Sequence, residues 1–172
     1  MAFVVSRIPA LDDDNAIELF ARSNPGWQIE FTQDGSLVVS PTFSDSGARD
    51  LEAAGQLRDF ANRAGGKAFG SSTGFRIPGA GLKSPDASWI SQEHLDRLAP
   101  DQKRKFWTVC PDVVVEILSE TDSWSELQDK LQLYHAGGAQ YAVAVDPFRR
   151  DVFELGTPPA TLKLDFDAII DA

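Results

Sequence analysis

The sequence predicts one α/β domain built around a central mixed sheet, and three observations carry that expectation. PDVVVEIL (111–118) and YAVAVD (141–146) are apolar runs of strand length, rich in valine, as in strands covered on both faces. Between them, residues 123–136 repeat Trp124, Leu127, Leu131 and Tyr134 at helical spacing and stop at Gly137-Gly138. Further upstream, residues 48–64 place Ala53, Ala54, Leu57, Phe60, Ala61 and Ala64 on one helical face, with Glu52, Gln56, Asp59 and Arg63 opposite. Strands and helices in this order, without repeat or linker, give one domain over residues 1–172.

The remaining elements follow from local chemistry. Asp12, Asp13 and Asp14 ahead of NAIELFARSN suit a helix N-terminus, where acidic side chains complement the dipole, and Asn24-Pro25-Gly26 ends that helix. WQIEFTQDGSLVVSP reads as a hairpin of two short strands about Gln33-Asp34-Gly35, an N-terminal extension to the sheet. Serines 44 and 46 cap the next helix, which Gly65-Gly66 closes. Residues 67–77 supply one or two strands, SPDASWI a short strand, and 91–108 a polar, partly helical insertion. Residues 151–155 form an edge strand, and LKLDFDAII closes the chain.

Composition narrows the classes. With 172 residues, 42% hydrophobic and 24% charged, and with four Trp and eleven Phe, the chain can bury a full core. Cys110 is the single cysteine, which excludes an internal disulfide and a cysteine-built zinc site. No apolar run approaches the roughly 20 residues of a membrane span, and the N-terminus is too short in apolar residues for a signal peptide. A cytoplasmic protein without a membrane partner is expected. A net charge of −10, from 26 acidic and 16 basic residues, argues against a broad nucleic-acid-binding face. Local groups (Lys103-Arg104-Lys105, Arg149-Arg150 and Lys83) offer a basic rim instead.

One residue does not belong in its surroundings. Glu116 stands inside the apolar run 113–118, and strand alternation puts it on one face with Asp112, Val114 and Leu118. An ionised carboxylate buried without a partner costs several kcal/mol, so it is paired or binds metal. Asp86, in the second Pro-Asp dipeptide, also opens a strand. If the two strands are neighbours, two carboxylates converge, and a hard cation such as Mg2+ relieves their repulsion. Lys130 lies at the border of its helix's buried stripe, from which a lysine stem can carry its ammonium to the strand ends. Asp, Glu, Lys and a divalent metal form a set suited to phosphodiester hydrolysis.

These pieces also carry a resemblance. IEFTQDGSLVVSPT, SPDASWI and PDVVVEILSETDSWSELQDKLQLYHAGGAQYAVAVDP, in that order over residues 27–147, resemble the Uma-type restriction endonuclease family. That family is a branch of the PD-(D/E)XK nuclease superfamily. The resemblance implies the restriction-endonuclease-like fold and DNA endonuclease activity with Mg2+ or Mn2+. It implies Asp86 and Glu116 as metal ligands, joined by the Ile117 backbone carbonyl, and Asp86, Glu116 and Lys130 as the catalytic set. The superfamily's lysine stands two residues after the glutamate, which here is Leu118; Lys130 is its replacement. RNA is a second possible substrate, and a homodimer suits an enzyme that cuts both strands.

Each candidate has a structural alternative. Glu116 can be half of an ion pair with Lys130, Asp86 can shape the turn before its strand, and Lys130 can be a solvated helix residue. Asp112 reads as a strand-entry cap and Glu52 as a surface residue, while Glu30 reaches the site only if the hairpin folds over it. His94 and His135 have no metal-ligand spacing, the glycines of GFRIPGAGLKS match no phosphate loop, and Asp122 with Ser123 caps a helix. The rival function is a nuclease-like fold kept as an interaction or structural module, its Asp, Glu and Lys an ion-pair cluster.

Overall fold

The computed structural model describes residues 13–24, 27–41, 44–102, 105–120 and 122–172. In chain order its first elements are α1 (Asp14–Ser23), β1 (Trp27–Phe31), β2 (Leu37–Pro41), α2 (Ser44–Ala64) and β3 (Lys67–Gly70). Next come β4 (Phe75–Ile77), β5 (Gly81–Lys83), β6 (Ala87–Ile90), α3 (Gln92–Arg97) and β7 (Trp107–Thr108). The last are β8 (Val113–Ile117), α4 (Trp124–Ala136), β9 (Tyr141–Asp146), β10 (Asp151–Gly156) and α5 (Phe166–Asp171).

Where one central sheet is expected, the strands form two. One runs β10-β9-β8-β6-β3 and the other β2-β1-β5-β4-β7, and each mixes parallel with antiparallel neighbours. The hairpin β1–β2 is therefore part of a sheet rather than an extension, joined to β5 through the Phe31–Leu82 pairing. The second sheet escapes sequence reading because β4, β5 and β7 are three, three and two residues long, too short for any periodicity.

The first sheet is covered on both sides. Val114 and Leu118 pack with Leu127, Leu131 and Tyr134 of α4, while Val113, Val115 and Ile117 pack with Ala53, Leu57 and Phe60 of α2 and Ile169 of α5. All of β8 is buried, and each such valine contributes about 1.5–3 kcal/mol through removal from water. That burial holds a glutamate in mid-strand. Helix α2 starts at Ser44, four residues earlier than its apolar stripe alone indicates. The face opposite that stripe is not wholly solvated, because Gln56 donates to the Asp165 carbonyl at 3.0 Å and docks the C-terminal segment. Asp13 caps α1 through Ala16 N–H, whereas Asp12, Pro25 and Gly26 lie outside the described residues. No helix among the described residues is long and apolar enough to cross a membrane.

The chain passes from one sheet to the other between β5 and β6, through Ser84, Pro85 and Asp86. Gly81, which opens β5, allows that strand to lie close against β1. Its φ is +85°, and a Cβ there would stand 2.4 Å from the Phe31 carbonyl oxygen. Gly81→Ala is expected to cost about 2–3 kcal/mol through combined backbone strain and clash. Urea unfolding measures this, and an unchanged midpoint would show that β5 has room to move away from β1.

Candidate functional site

Strand pairing brings the two Pro-Asp segments together. β6 runs antiparallel to β8 with Ala87 opposite Val115, so Asp86, one residue before β6, lies beside Glu116. The Asp86 Oδ2 accepts the Ile117 N–H at 2.7 Å. Glu116 is 3% exposed, and the Tyr134 hydroxyl donates to its Oε1 at 2.7 Å. Lys130 Nζ donates to the Glu116 Oε2 at 3.0 Å and to the Glu30 Oε1 at 2.9 Å. Glu30, on β1 of the other sheet, also accepts the Ser84 N–H at 2.9 Å, and its Oε2 is 3.7 Å from Lys83 Nζ. Both sheets and α4 thus meet at one point. They line a cavity of about 500 Å³, into which Asp50 of α2 also faces.

Burial and mutual repulsion set the charges. Burial lifts the Asp86 carboxyl well above the usual carboxylate range, and Glu116 and Asp50 push it the same way. Glu116 is raised by burial, against the Lys130 ammonium beside it. Burial also raises Asp50, to about 6, with Ser71 opposing by hydrogen bond. For Lys130 burial favours the neutral amine, but Glu116, Glu30 and Asp86 outweigh it and hold the proton more firmly than usual. The Tyr134 hydroxyl, buried and facing Glu116, is held protonated and serves as a donor.

Asp86, Glu116 and Lys130 are brought together, and Glu30 joins them. Glu52 is not: it accepts Gln56 Nε2 at 3.0 Å, and the acid that α2 turns toward the cavity is Asp50. Asp50 stands three and seven residues before Ala53 and Leu57, so helical spacing places an acid on the buried stripe, a signal present in the sequence. Tyr134 combines a core ring with a hydroxyl on Glu116, a role that spacing alone does not show. Leu118, two residues after Glu116, is buried in the core cluster beneath α4.

Several expectations are corrected. Lys83 is not part of a rim but is 5% exposed on the cavity wall. Arg149 and Arg150 are engaged by acids, Asp146 for the first and Asp167 and Asp171 for the second. Lys105 pairs with Glu18 at 2.9 Å, and Lys103 and Arg104 lie outside the described residues. His94 places its Nδ1 2.9 Å from the Asp112 Oδ1, while the Asp112 Oδ2 accepts the Ser91 N–H. Ser123 occupies the cap position of α4 without a side-chain cap bond, and Asp122 instead accepts the Ser119 hydroxyl at 2.7 Å.

The donor set suits a hard divalent cation. Asp86 and Glu116 are adjacent, oxygen-only and each biased by burial toward the neutral form, so a cation between them relieves a penalty the protein already carries. Among the described residues no group of three or more His, Cys, Asp or Glu side chains is placed to hold a metal ion. Two carboxylates, with waters filling an octahedron, is the arrangement magnesium accepts. Tyr134→Phe removes a buried donor from Glu116 and is expected to lower stability without metal by about 1.5–3 kcal/mol. Denaturant unfolding in EDTA checks this; no loss would mean that the hydroxyl does not support the carboxylate.

Comparison with known proteins follows the same lines. Residues 13–164 match the Uma2 family, described as "Putative restriction endonuclease". Among curated proteins none matches. A crystal structure from Anabaena variabilis ATCC 29413, described as "a putative nuclease belonging to DUF820", superposes with a TM-score of 0.65 at 15% identity. The alignment covers 83% of this chain and 89% of that one, and it shows a common fold.

Proposed function

The chain belongs to the Uma2 family, and on that premise we propose that it hydrolyses phosphodiester bonds of DNA with the help of a divalent metal ion. The observation that carries this reading is Asp86 beside Glu116 on the wall of an open cavity, with Lys130 bridging Glu116 to Glu30. Asp86, Glu116 and the Ile117 carbonyl would hold magnesium or manganese. The ion would acidify a water and clamp the scissile phosphate. Tyr134 and Lys130 fix the rotamer of Glu116, and Glu30 in turn fixes Lys130. The Lys130 ammonium, firmly protonated, then faces the negative charge that gathers on the phosphate oxygens in the transition state.

The charge balance favours this reading over an ion-pair cluster in an interaction module. In such a cluster charges cancel. Here Glu30, Asp50, Asp86 and Glu116 face Lys83 and Lys130, and the exposed Asp122, Glu126 and Asp129 line the same cavity. Acids outnumber bases here, and burial shifts three of them, Asp50, Asp86 and Glu116, toward the neutral form, a penalty that a bound cation would relieve. We propose a homodimer as the form that cuts duplex DNA, two sites serving two strands. Supercoiled DNA, single-stranded DNA and RNA incubated with the protein in Mg2+, Mn2+ or EDTA test the reaction. Cleavage of DNA with metal, abolished by EDTA and by Glu116→Gln, is expected. Cleavage that persists in EDTA, or cleavage of RNA alone, would overturn the mechanism or the substrate respectively.

A further inference from the structure

Lys83 is the group in this cavity that nothing above employs. Its side chain is 7% exposed, and Glu30 is the one carboxylate within 4 Å of its ammonium among the described residues. That contact is 3.7 Å, an ion pair but too long for a hydrogen bond. Lys130, by contrast, makes two hydrogen bonds to carboxylates, at 2.9 and 3.0 Å. An ammonium carries three donors, and buried donors are nearly always satisfied. Lys83 is a buried amine with donors to spare, on the wall of a cavity, its proton held less firmly than usual because burial outweighs the Glu30 carboxylate. Lys130 is the other basic residue lining that cavity among the described residues.

The surroundings explain how it stays there. β5 is pinned to β1 by the Phe31–Leu82 pairing, which holds Lys83 near Glu30. The Glu30 Oε1 is taken by Ser84 N–H and Lys130, leaving Oε2 toward Lys83. Glu30 thus turns one oxygen toward each lysine ammonium and positions both. Asp86 follows Lys83 by three residues, so the same short passage between the sheets carries one acid and one base into the cavity.

We propose that Lys83 is a second phosphate-binding residue of this site, its ammonium gripping a non-bridging phosphate oxygen jointly with Lys130. This rests on the reading that the cavity takes a phosphodiester. The lysine absent at position 118 is then replaced by two, one from a strand, β5, and one from a helix, α4. An oxyanion supplies the acceptors that Lys83 lacks, and the paired ammonium groups offset the acidic walls that would otherwise repel it.

Methylenediphosphonate with magnesium tests this directly, because the probe carries phosphonate oxygens but neither nucleoside nor cleavable bridge. Thermal unfolding of the full chain is followed against probe concentration for wild type, Lys83→Met and Lys83→Arg. Wild type should show a saturable rise in Tm. Lys83→Met should bind at least about tenfold more weakly, the size of one charged hydrogen bond, and Lys83→Arg should keep most of the binding. Where Lys83→Met fails to fold, Lys83→Gln, which keeps a donor toward Glu30 without the charge, makes the same comparison. No saturable rise in wild type, or equal affinity in wild type and the neutral variant, overturns the proposal. Failure to cleave DNA would bear on the nuclease reading alone, since this probe reports binding without cleavage.

Discussion

Lys130→Ala is expected to lower the proposed metal-dependent DNA cleavage by about 10²–10³-fold, the usual effect of removing one electrostatic stabiliser from a preorganised site. The size follows from its two bonds. The ammonium is shared between Glu116 at 3.0 Å and Glu30 at 2.9 Å, so its loss removes a charge from the transition state and frees both carboxylates to move. Stability falls as well, by about 3 kcal/mol, because removing one partner of a buried pair leaves the other uncompensated. The two effects separate under steady-state kinetics well below the melting temperature of the variant. Leu118→Lys should not rescue it, for that side chain lies in the core cluster with Leu127 and Leu131. Full cleavage by a folded Lys130→Ala protein would remove Lys130 from the mechanism.

Magnesium is expected to raise the melting temperature more at pH 8 than at pH 5, and Glu116→Gln to abolish most of that difference. The sign comes from Asp86, Glu116 and Asp50, whose carboxyls are all raised in the folded protein, burial being the first cause of each. A carboxyl raised on folding contributes stability below its unfolded value, about 4, and loses it as pH climbs through its folded value. For Asp50 that loss begins at about 4 and is complete once the pH has passed about 6. The metal-free protein is therefore weakened from about pH 4 upward, over the range in which these groups ionise and Asp86 and Glu116 would become ligands. Bound metal then repays the repulsion, adding about 2.7 kcal/mol at a hundred times its dissociation constant. A magnesium-induced rise that is the same at both pH values, or unaltered in Glu116→Gln, would place the ion elsewhere.

How much of this was legible in the sequence varies from residue to residue. The buried strands at 113–117 and 141–146, the helix between them and the hairpin are visible because each carries its periodicity over at least five residues. The neighbourhood of Asp86 and Glu116 was readable only as a condition, that their strands pair, and the Ala87–Val115 register meets it. Lys130 was visible at the edge of an apolar stripe, although nothing in the spacing shows that it bridges two acids 14 and 100 residues away. The second sheet was hidden because tertiary pairing, rather than local pattern, makes strands of two or three residues. Lys83 was misplaced at the surface for the same reason. Its burial follows from β5 docking on β1, a contact between residues 51 apart in the chain.

A manganese-soaked crystal, with anomalous scattering recorded at the metal edge, tests the site most directly. The expected result is one strong peak between Asp86 and Glu116, coordinated by an oxygen from each and by the Ile117 carbonyl. Lys130 should remain on Glu30, and the peak should vanish in crystals of Glu116→Gln. A clear map at millimolar manganese with no density between those two carboxylates, or with the ion bound only elsewhere, would contradict the metal site on which the proposed hydrolysis depends.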